Sequence, residues 1–247
     1  MKLHKIVEAI DEILKPSEFD DYCHNGIQIE GKEEVKRIIT GVSCSQRFFN
    51  EAIANDADMI LVHHGLFWMN DPRPFTITGI MKDRISLLIR HNISLVGYHL
   101  PLDANPELGN NAIISDRLSL DKQEFMNGGL LSRTKNDVDI HEFKHIVDEN
   151  LATSSLVFPF GSKSVSNVFV VSGAGAFMYQ DALSLNADTF ITGEVKESHV
   201  RIFEEEGLNL IVAGHYNTEK YGVEALGEQL SKQFDLFTKF IDIPNPI

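Results

Sequence analysis

No apolar run in this 247-residue chain approaches the roughly 20 residues that a membrane-spanning helix requires, so no such helix is expected. The opening residues 1–12 carry Glu8, Asp11 and Glu12 inside the only early apolar stretch. That pattern speaks against a secretory signal peptide and reads instead as an amphipathic helix, in keeping with a cytoplasmic protein. Cysteine is scarce. Cys23 and Cys44 make neither a disulfide framework nor a zinc knuckle, and read as two reduced thiols. Basic residues are outnumbered, with 22 Lys and Arg against 36 Asp and Glu. The resulting net charge of −14 argues against a nucleic-acid partner, because phosphate binding draws on an excess of Lys and Arg. A metal cluster could still reverse the field at one site. Low-complexity segments and Ser/Gly-rich linkers are missing too. What is left is a globular chain long enough for about one to two domains.

Short apolar runs rich in β-branched residues recur at 37–42, 58–62, 93–97, 167–172, 188–192, 208–213 and 237–242, as buried strands require. Helical spacing appears between them, as in Phe48, Phe49, Ala52 and Ile53, then Ile85, Leu88 and Ile89, then Val195, Val200, Ile202 and Phe203. This alternation predicts an α/β fold. The chain also repeats itself. Val42-Ser43 parallels Val171-Ser172 at an offset of 129, and Ala57-Asp58 parallels Ala187-Asp188 at 130. Leu95-Val-Gly-Tyr-His99 parallels Ile211-Val-Ala-Gly-His215 at 116, and that offset carries Asp103 onto Glu219. We therefore expect a duplicated β-α-β-α-β unit and two related α/β domains with mixed sheets. The domains are placed at 1–125 and 126–247, with a soft boundary near 121–129 where Gly128-Gly129 interrupts the pattern. A pseudo-two-fold arrangement would bring the strand ends to one cleft.

The strand ends carry the chemistry. In parallel sheets ligands gather beyond the carboxyl ends of the strands, and His63, His64, His99, Glu194 and His215 are all expected there. Imidazoles and carboxylates in such places are typical transition-metal ligands. Neighbouring residues of a strand point opposite ways, so His63 and His64 share a site only where the strand is ending, and Gly65 supplies that exit. Opposed directions would instead give one imidazole to each of two ions. Asn217 or Thr218 is expected to cap a helix beginning near Lys220, which puts Glu219 in its first turn close to His215. A carboxylate there could bridge two cations about 3.5–4 Å apart. The competing reading is structural, since a single histidine after a strand is ordinarily a hydrogen-bonded framework residue and Asp103 follows Pro101 in what could be a plain turn.

Weaker candidates surround this group. Ser172-Gly-Ala-Gly-Ala176 could cradle an anion or serve close helix–strand packing, and it lacks the Walker lysine and the full dinucleotide fingerprint. Glu194, Lys196 and His199 could be acid–base groups or a solvated helix start. His99 could be a third imidazole or a residue that orients a ligand. Asn25-Gly26 reads as a turn, and Trp68 and the 16 Phe residues as core or interface. No Ser-His or Cys-His nucleophile signature is present.

With these residues in view, the chain resembles the GTP cyclohydrolase 1 type 2 homologue family, also called Nif-three-like or YbgI-like. The resemblance is carried by Asn25-Gly-Ile-Gln-Ile29, Val62-His-His-Gly-Leu-Phe67, Tyr98-His-Leu-Pro-Leu-Asp103, Val171-Ser-Gly-Ala-Gly-Ala176, Asp188-Thr-Phe-Ile-Thr-Gly-Glu194, Gly214-His-Tyr-Asn-Thr-Glu219 and the closing Phe240-Ile-Asp-Ile-Pro-Asn-Pro246. It implies a compact bacterial member, without the extra domain that longer members insert between the halves. It also implies two divalent ions per subunit, drawn from Zn, Fe, Mn, Co or Ni, on His63, His64, Asp103, His215 and Glu219. The metals would lie in the cleft between two α/β domains of a ring-shaped homohexamer. By the same resemblance His99 is not a ligand. The expected function is a metal-dependent hydrolase acting on a small molecule, with Glu194 or His99 assisting proton transfer. The alternatives are metal delivery or buffering, or a scaffold with a structural metal.

Overall fold

Each of the seven apolar runs becomes a strand in the computed structural model, which describes residues 1–71 and 74–247. The chain begins with α1 (Leu3–Leu14), whose buried Leu3, Ile6, Ala9, Ile10 and Leu14 follow the three-and-four spacing of one helical face. Lys15 ends the helix in the left-handed region, and Pro16 follows it. Next come β1 (Gly26–Ile29), β2 (Arg37–Ser43), α2 (Gln46–Ala54), β3 (Met59–His64), α3 (Gly79–His91), β4 (Ser94–Gly97) and the single turn α4 (Leu100–Asp103). Strands β2, β3 and β4 pair in parallel, and β1 closes the β4 edge antiparallel. Ile39, Ile60, Val62 and Leu95 present one face of this sheet to Phe48, Phe49 and Ala52 of α2 and to Ile85 and Leu88 of α3. Burying Phe48 and Phe49 alone contributes on the order of 1.5–3 kcal/mol each.

Beyond α4 run α5 (Asn110–Arg117), β5 (Asp121–Met126), β6 (Gly129–Asp139), α6 (Ile140–Leu151), β7 (Leu156–Phe158), β8 (Ser164–Val171), α7 (Tyr179–Ser184), β9 (Thr189–Thr192), α8 (Glu197–Glu206) and β10 (Asn209–Val212). They build a second, six-stranded mixed sheet in the order β5-β6-β8-β9-β10-β7. Alternate residues of β8 face opposite cores. Val168 and Val170 join Ile114 of α5 and Phe143 and Val147 of α6, while Phe169 and Val171 join Ala182 of α7 and Phe203 of α8. The chain closes with α9 (His215–Phe234) and β11 (Phe237–Phe240), and β11 pairs parallel with β2 to complete the first, five-stranded sheet. Gly227 lets α9 pass close to β2, since a Cβ there would stand 2.8 Å from Thr40 Cγ2.

The compact units are therefore not the halves expected at 1–125 and 126–247. One unit is Met1–Leu102 with Gly222–Pro244, and the other is Asp103–Tyr221 with Asn245–Ile247. Two contacts explain the difference. Strand β11 hydrogen-bonds to β2, returning the C-terminal segment to the first sheet. The expected boundary near 121–129 is a β-hairpin, whose Asn127 and Gly128 both have positive φ, 52° and 100°, as a two-residue turn between twisted strands demands.

The duplication is visible in the topology, with its register corrected. In each sheet three parallel strands run in sequence order, with a short antiparallel strand beside the third: β2-β3-β4 with β1, and β8-β9-β10 with β7. Asp58 Oδ2 accepts the backbone N–H groups of Lys36 and Arg37 at 2.9 and 3.1 Å. Asp188 Oδ2 does the same for Ser166 and Asn167 at 2.9 and 2.8 Å. Strand pairing then equates Gly41 with Val171 and Val62 with Thr192, an offset of 130 throughout, so the 129-residue match at Val42 is one residue out of register. Tyr98 N–H bonds Val62 O where Ala213 N–H bonds Thr192 O, which sets the third strand at 115. His99 thus corresponds to Gly214 rather than His215, and Asp103 to Thr218 rather than Glu219. The counterpart of His64 is Glu194.

Candidate metal centre

In the first unit, His63 and His64 are the last two residues of β3, and His99 follows β4 by two residues. The three imidazoles gather, with one ring nitrogen from each lying within 4.8 Å of the others. The His63 and His64 rings are 4.6 Å apart between centroids, so the strand's end lets neighbouring side chains converge. Each ring is held from behind. His63 Nδ1 donates to the Tyr98 carbonyl at 3.0 Å, and because a carbonyl only accepts, the lone pair is left on Nε2. His64 Nδ1 is paired with Ser43 Oγ at 2.9 Å. His99 Nδ1 donates to Asp21 Oδ1 at 2.9 Å, which again places the lone pair of a neutral ring on Nε2.

Asp21 and Asn25 do this positioning, and the sequence reading missed the first and took the second for a simple turn. Asp21 also accepts from Cys23 N, Asn25 Nδ2 and Leu100 N, while Asn25 Oδ1 accepts His99 N–H. Burial alone would raise the Asp21 carboxyl, but the hydrogen bonds from His99, Cys23 and Asn25 outweigh it and hold its pKa at about 2. Gln28 secures the loop after His64. Its Oε1 accepts the N–H groups of Leu66 and Phe67 at 2.6 and 3.3 Å, and its amide nitrogen donates to His24 O at 2.7 Å. Gly65 leaves room for it, since a Cβ there would lie 2.2 Å from the Gln28 amide and displace it.

In the second unit, α9 begins at His215 itself, not after Asn217, so His215 and Glu219 are one helical turn apart on the same face. His215 Nε2 lies 2.9 Å from Glu219 Oε2, and His215 Nδ1 lies 3.4 Å from Glu194 Oε2. Burial lowers the imidazole's pKa, but the Glu219 and Glu194 carboxylates prevail and hold it above its ordinary value. Gly173 at φ +60° forms a wall of this site. A Cβ there would stand 2.1 Å from Glu219 Oε1 and 3.2 Å from His215 Nε2. The Ser172–Ala176 turn is thereby explained by close packing. Gly173 N–H donates to Thr218 Oγ1, and Gly173 O accepts the N–H groups of Gly193 and Glu194. Thr218 accordingly bonds back to Gly214 O and His215 O instead of capping a later helix. Asp103 Oδ1 accepts from Asn110 Nδ2 at 2.7 Å and Ser172 Oγ at 2.9 Å, fixing the carboxylate. The buried Asn110 was not read from the sequence.

Lys196 is exposed and His199 lies within α8, so Glu194 is the one of that trio placed beside His215. Both cysteines are buried, and burial pushes Cys23 up to about 11 and raises Cys44 as well, which leaves neither a nucleophile. Among the described residues no helix is long and apolar enough to cross a membrane. The His/carboxylate donor chemistry and the glycine-walled cradle fit a bound metal ion.

A model of the family Duf34/NIF3 (NGG1p interacting factor 3) matches residues 1–246. The chain belongs to the Duf34/NIF3 family. It is 38% identical over 253 residues to a GTP cyclohydrolase 1 type 2 homolog of Yersinia pestis, covering 100% of both chains. A relative of the same name from Archaeoglobus fulgidus is 36% identical, with 99% of each chain covered. Among solved structures, protein ybgI, of unknown function, superimposes with a TM-score of 0.96 at 37% identity over 100% of both chains. TTHA1606 from Thermus thermophilus gives 0.93 at 34% identity, again over 100% of each. The two mixed sheets are thus the fold of these Duf34/NIF3 structures.

Proposed function

We propose that this Duf34/NIF3 protein is a metal-dependent hydrolase of a small molecule, with two divalent ions held by His63, His64, Asp103, His215 and Glu219. The reading is supported above all by the gathering of His63, His64 and His99 at strand ends, with each ring fixed from behind on Nδ1. A donor set mixing imidazole and carboxylate suits Zn, Fe, Mn, Co or Ni. Once bound, such ions would supply Lewis acidity and a water molecule of lowered pKa.

The chain's own residues prepare the site. The Tyr98 carbonyl and Ser43 orient His63 and His64, and Ser172 and Asn110 orient Asp103. Asp21 fixes the His99 tautomer so that Nε2 can accept a proton. Glu194, beside His215, is a second proton-transfer candidate. We also propose a cytoplasmic ring-shaped homohexamer, an assembly that rests on the family resemblance.

Elemental analysis of protein purified without chelator, followed by a hydrolase substrate panel on the same sample, tests this reading. We expect metal near two ions per chain, and His64→Ala should abolish turnover while light scattering still reports six chains. Absence of metal, both as purified and after reconstitution, would sink the proposal. Metal without turnover on any substrate favours delivery or buffering, and an assembly that dissolves on chelation favours a structural metal. In His99→Gln, full metal content with lost turnover supports a proton-transfer role, whereas lost metal makes His99 a ligand.

A further inference from the structure

The loop after His64 lines an open cavity of about 410 Å³, inside the size range of small-molecule sites. Phe67, Trp68, Met69 and Phe75 wall it, with His24, Gln28 and Asp71 adding polar groups. Met69 and Phe75 are 62% and 46% exposed, an arrangement that leaves large apolar side chains in water unless something covers them.

These walls are already in place. Trp68 Nε1 donates to Gly65 O at 3.1 Å, and Trp68 N–H to Asp71 Oδ2 at 2.9 Å. Met69 N–H bonds Tyr22 O and His24 N–H bonds Phe67 O, so the loop is stitched to the segment that carries Asp21. The Phe67 and Phe75 rings meet edge to face at 5.8 Å. The Trp68 indole also touches the imidazole group, 6.0 Å from the His64 ring and 5.2 Å from the His99 ring. One side chain therefore borders both the cavity and the candidate metal ligands.

We infer that this cavity binds a planar heteroaromatic ring, neutral or cationic, of the molecule on which the metal site acts. Flat walls of Trp and Phe favour flat ligands through stacked and edge-to-face contacts, and a cationic ring gains further from their faces. The Asp71 carboxylate favours a ring that carries N–H donors or positive charge. The reacting group would then lie on the Trp68 side, beside His64; that placement rests on the hydrolase reading, whereas binding of the ring does not.

Trp68 is the only tryptophan, so its fluorescence reports on the cavity directly. The intact protein is titrated with adenosine and with N1-methylnicotinamide, and with cyclohexanol as an apolar control lacking a flat ring. Saturable quenching by at least one ring compound and none by cyclohexanol is expected, with Phe75→Ala binding about tenfold more weakly. No saturable response, or an equal one to cyclohexanol, overturns the inference. Unchanged affinity in a folded Phe75→Ala does so too. Repeating the titration on metal-stripped Glu219→Gln separates the two ideas. Retained ring binding with no hydrolysis of any substrate by the wild type upholds the cavity and removes the hydrolase. Hydrolysis of ringless substrates without ring binding does the reverse.

Discussion

Asp21 collects four hydrogen bonds from donors on both sides of its carboxylate, and one of those donors is a histidine 78 residues away. Its folded pKa of about 2 lies below the ordinary 3.8, so it contributes stability that is fully present above the ordinary value. That contribution is lost as pH falls from there through about 2. Asp21→Asn turns one acceptor oxygen into a donor facing N–H groups, at a cost of about 1–3 kcal/mol near neutral pH. Urea midpoints measured across an acid pH series should show a lower plateau for the variant and a smaller acid-driven decline than in the wild type. An equal midpoint for both proteins at neutral pH would remove Asp21 from the framework of the site. Nothing local marks this residue in the sequence, because it is the second of two adjacent aspartates in a polar stretch and its meaning depends on His99. His63, His64 and His215 were legible for the opposite reason, as polar residues ending apolar runs.

At the scale of the element, Asp58 and Asp188 hold equivalent posts, each binding two N–H groups at the start of the preceding parallel strand. Asp58→Ala and Asp188→Ala should each leave two backbone donors short of an acceptor and cost about 1–3 kcal/mol. Chemical denaturation should find the two losses similar and the double variant close to their sum. A neutral result for either would mean that strand register is held elsewhere. Strands β2, β3, β4, β8, β9 and β10 were readable as apolar runs because central strands are buried on both faces, and the edge strand β11 was readable only through Phe237, Phe240 and Ile241. β1, β5, β6 and β7 were not, since edge and hairpin strands are short or polar; β5 is exposed along most of its length. The Asn127-Gly128 turn did carry a local hairpin signal that its reading as a soft domain boundary overlooked. The start of α9 was missed because His215 and Glu219 look like loop chemistry until a helix places them one turn apart.

For the whole molecule, the decisive contact is the return of the C-terminal segment. Strand β11 covers the β2 edge, and Ile241 and Ile243 pack against the core shared by α2 and α3. A chain ending at Asp235 should expose that edge and lose those apolar contacts, giving aggregation-prone protein with an early, broadened thermal transition. A soluble truncated chain with a wild-type melting curve would show that β11 is dispensable.

The sequence by itself determined the α/β alternation, the duplication, the family and the candidate ligands at strand ends. Burial periodicity and polar interruptions of apolar runs are local signals, and the family motifs span nearly the whole chain. Tertiary structure alone extended the 130-residue register to the first strand of the repeat, set 115 for the third, and decided the membership of α9 and β11. It also decided the Asp21 and Gln28 supports and the cavity beside Trp68. Each of these is made by hydrogen bonds or packing between residues far apart in the chain, and such partners leave no pattern along it.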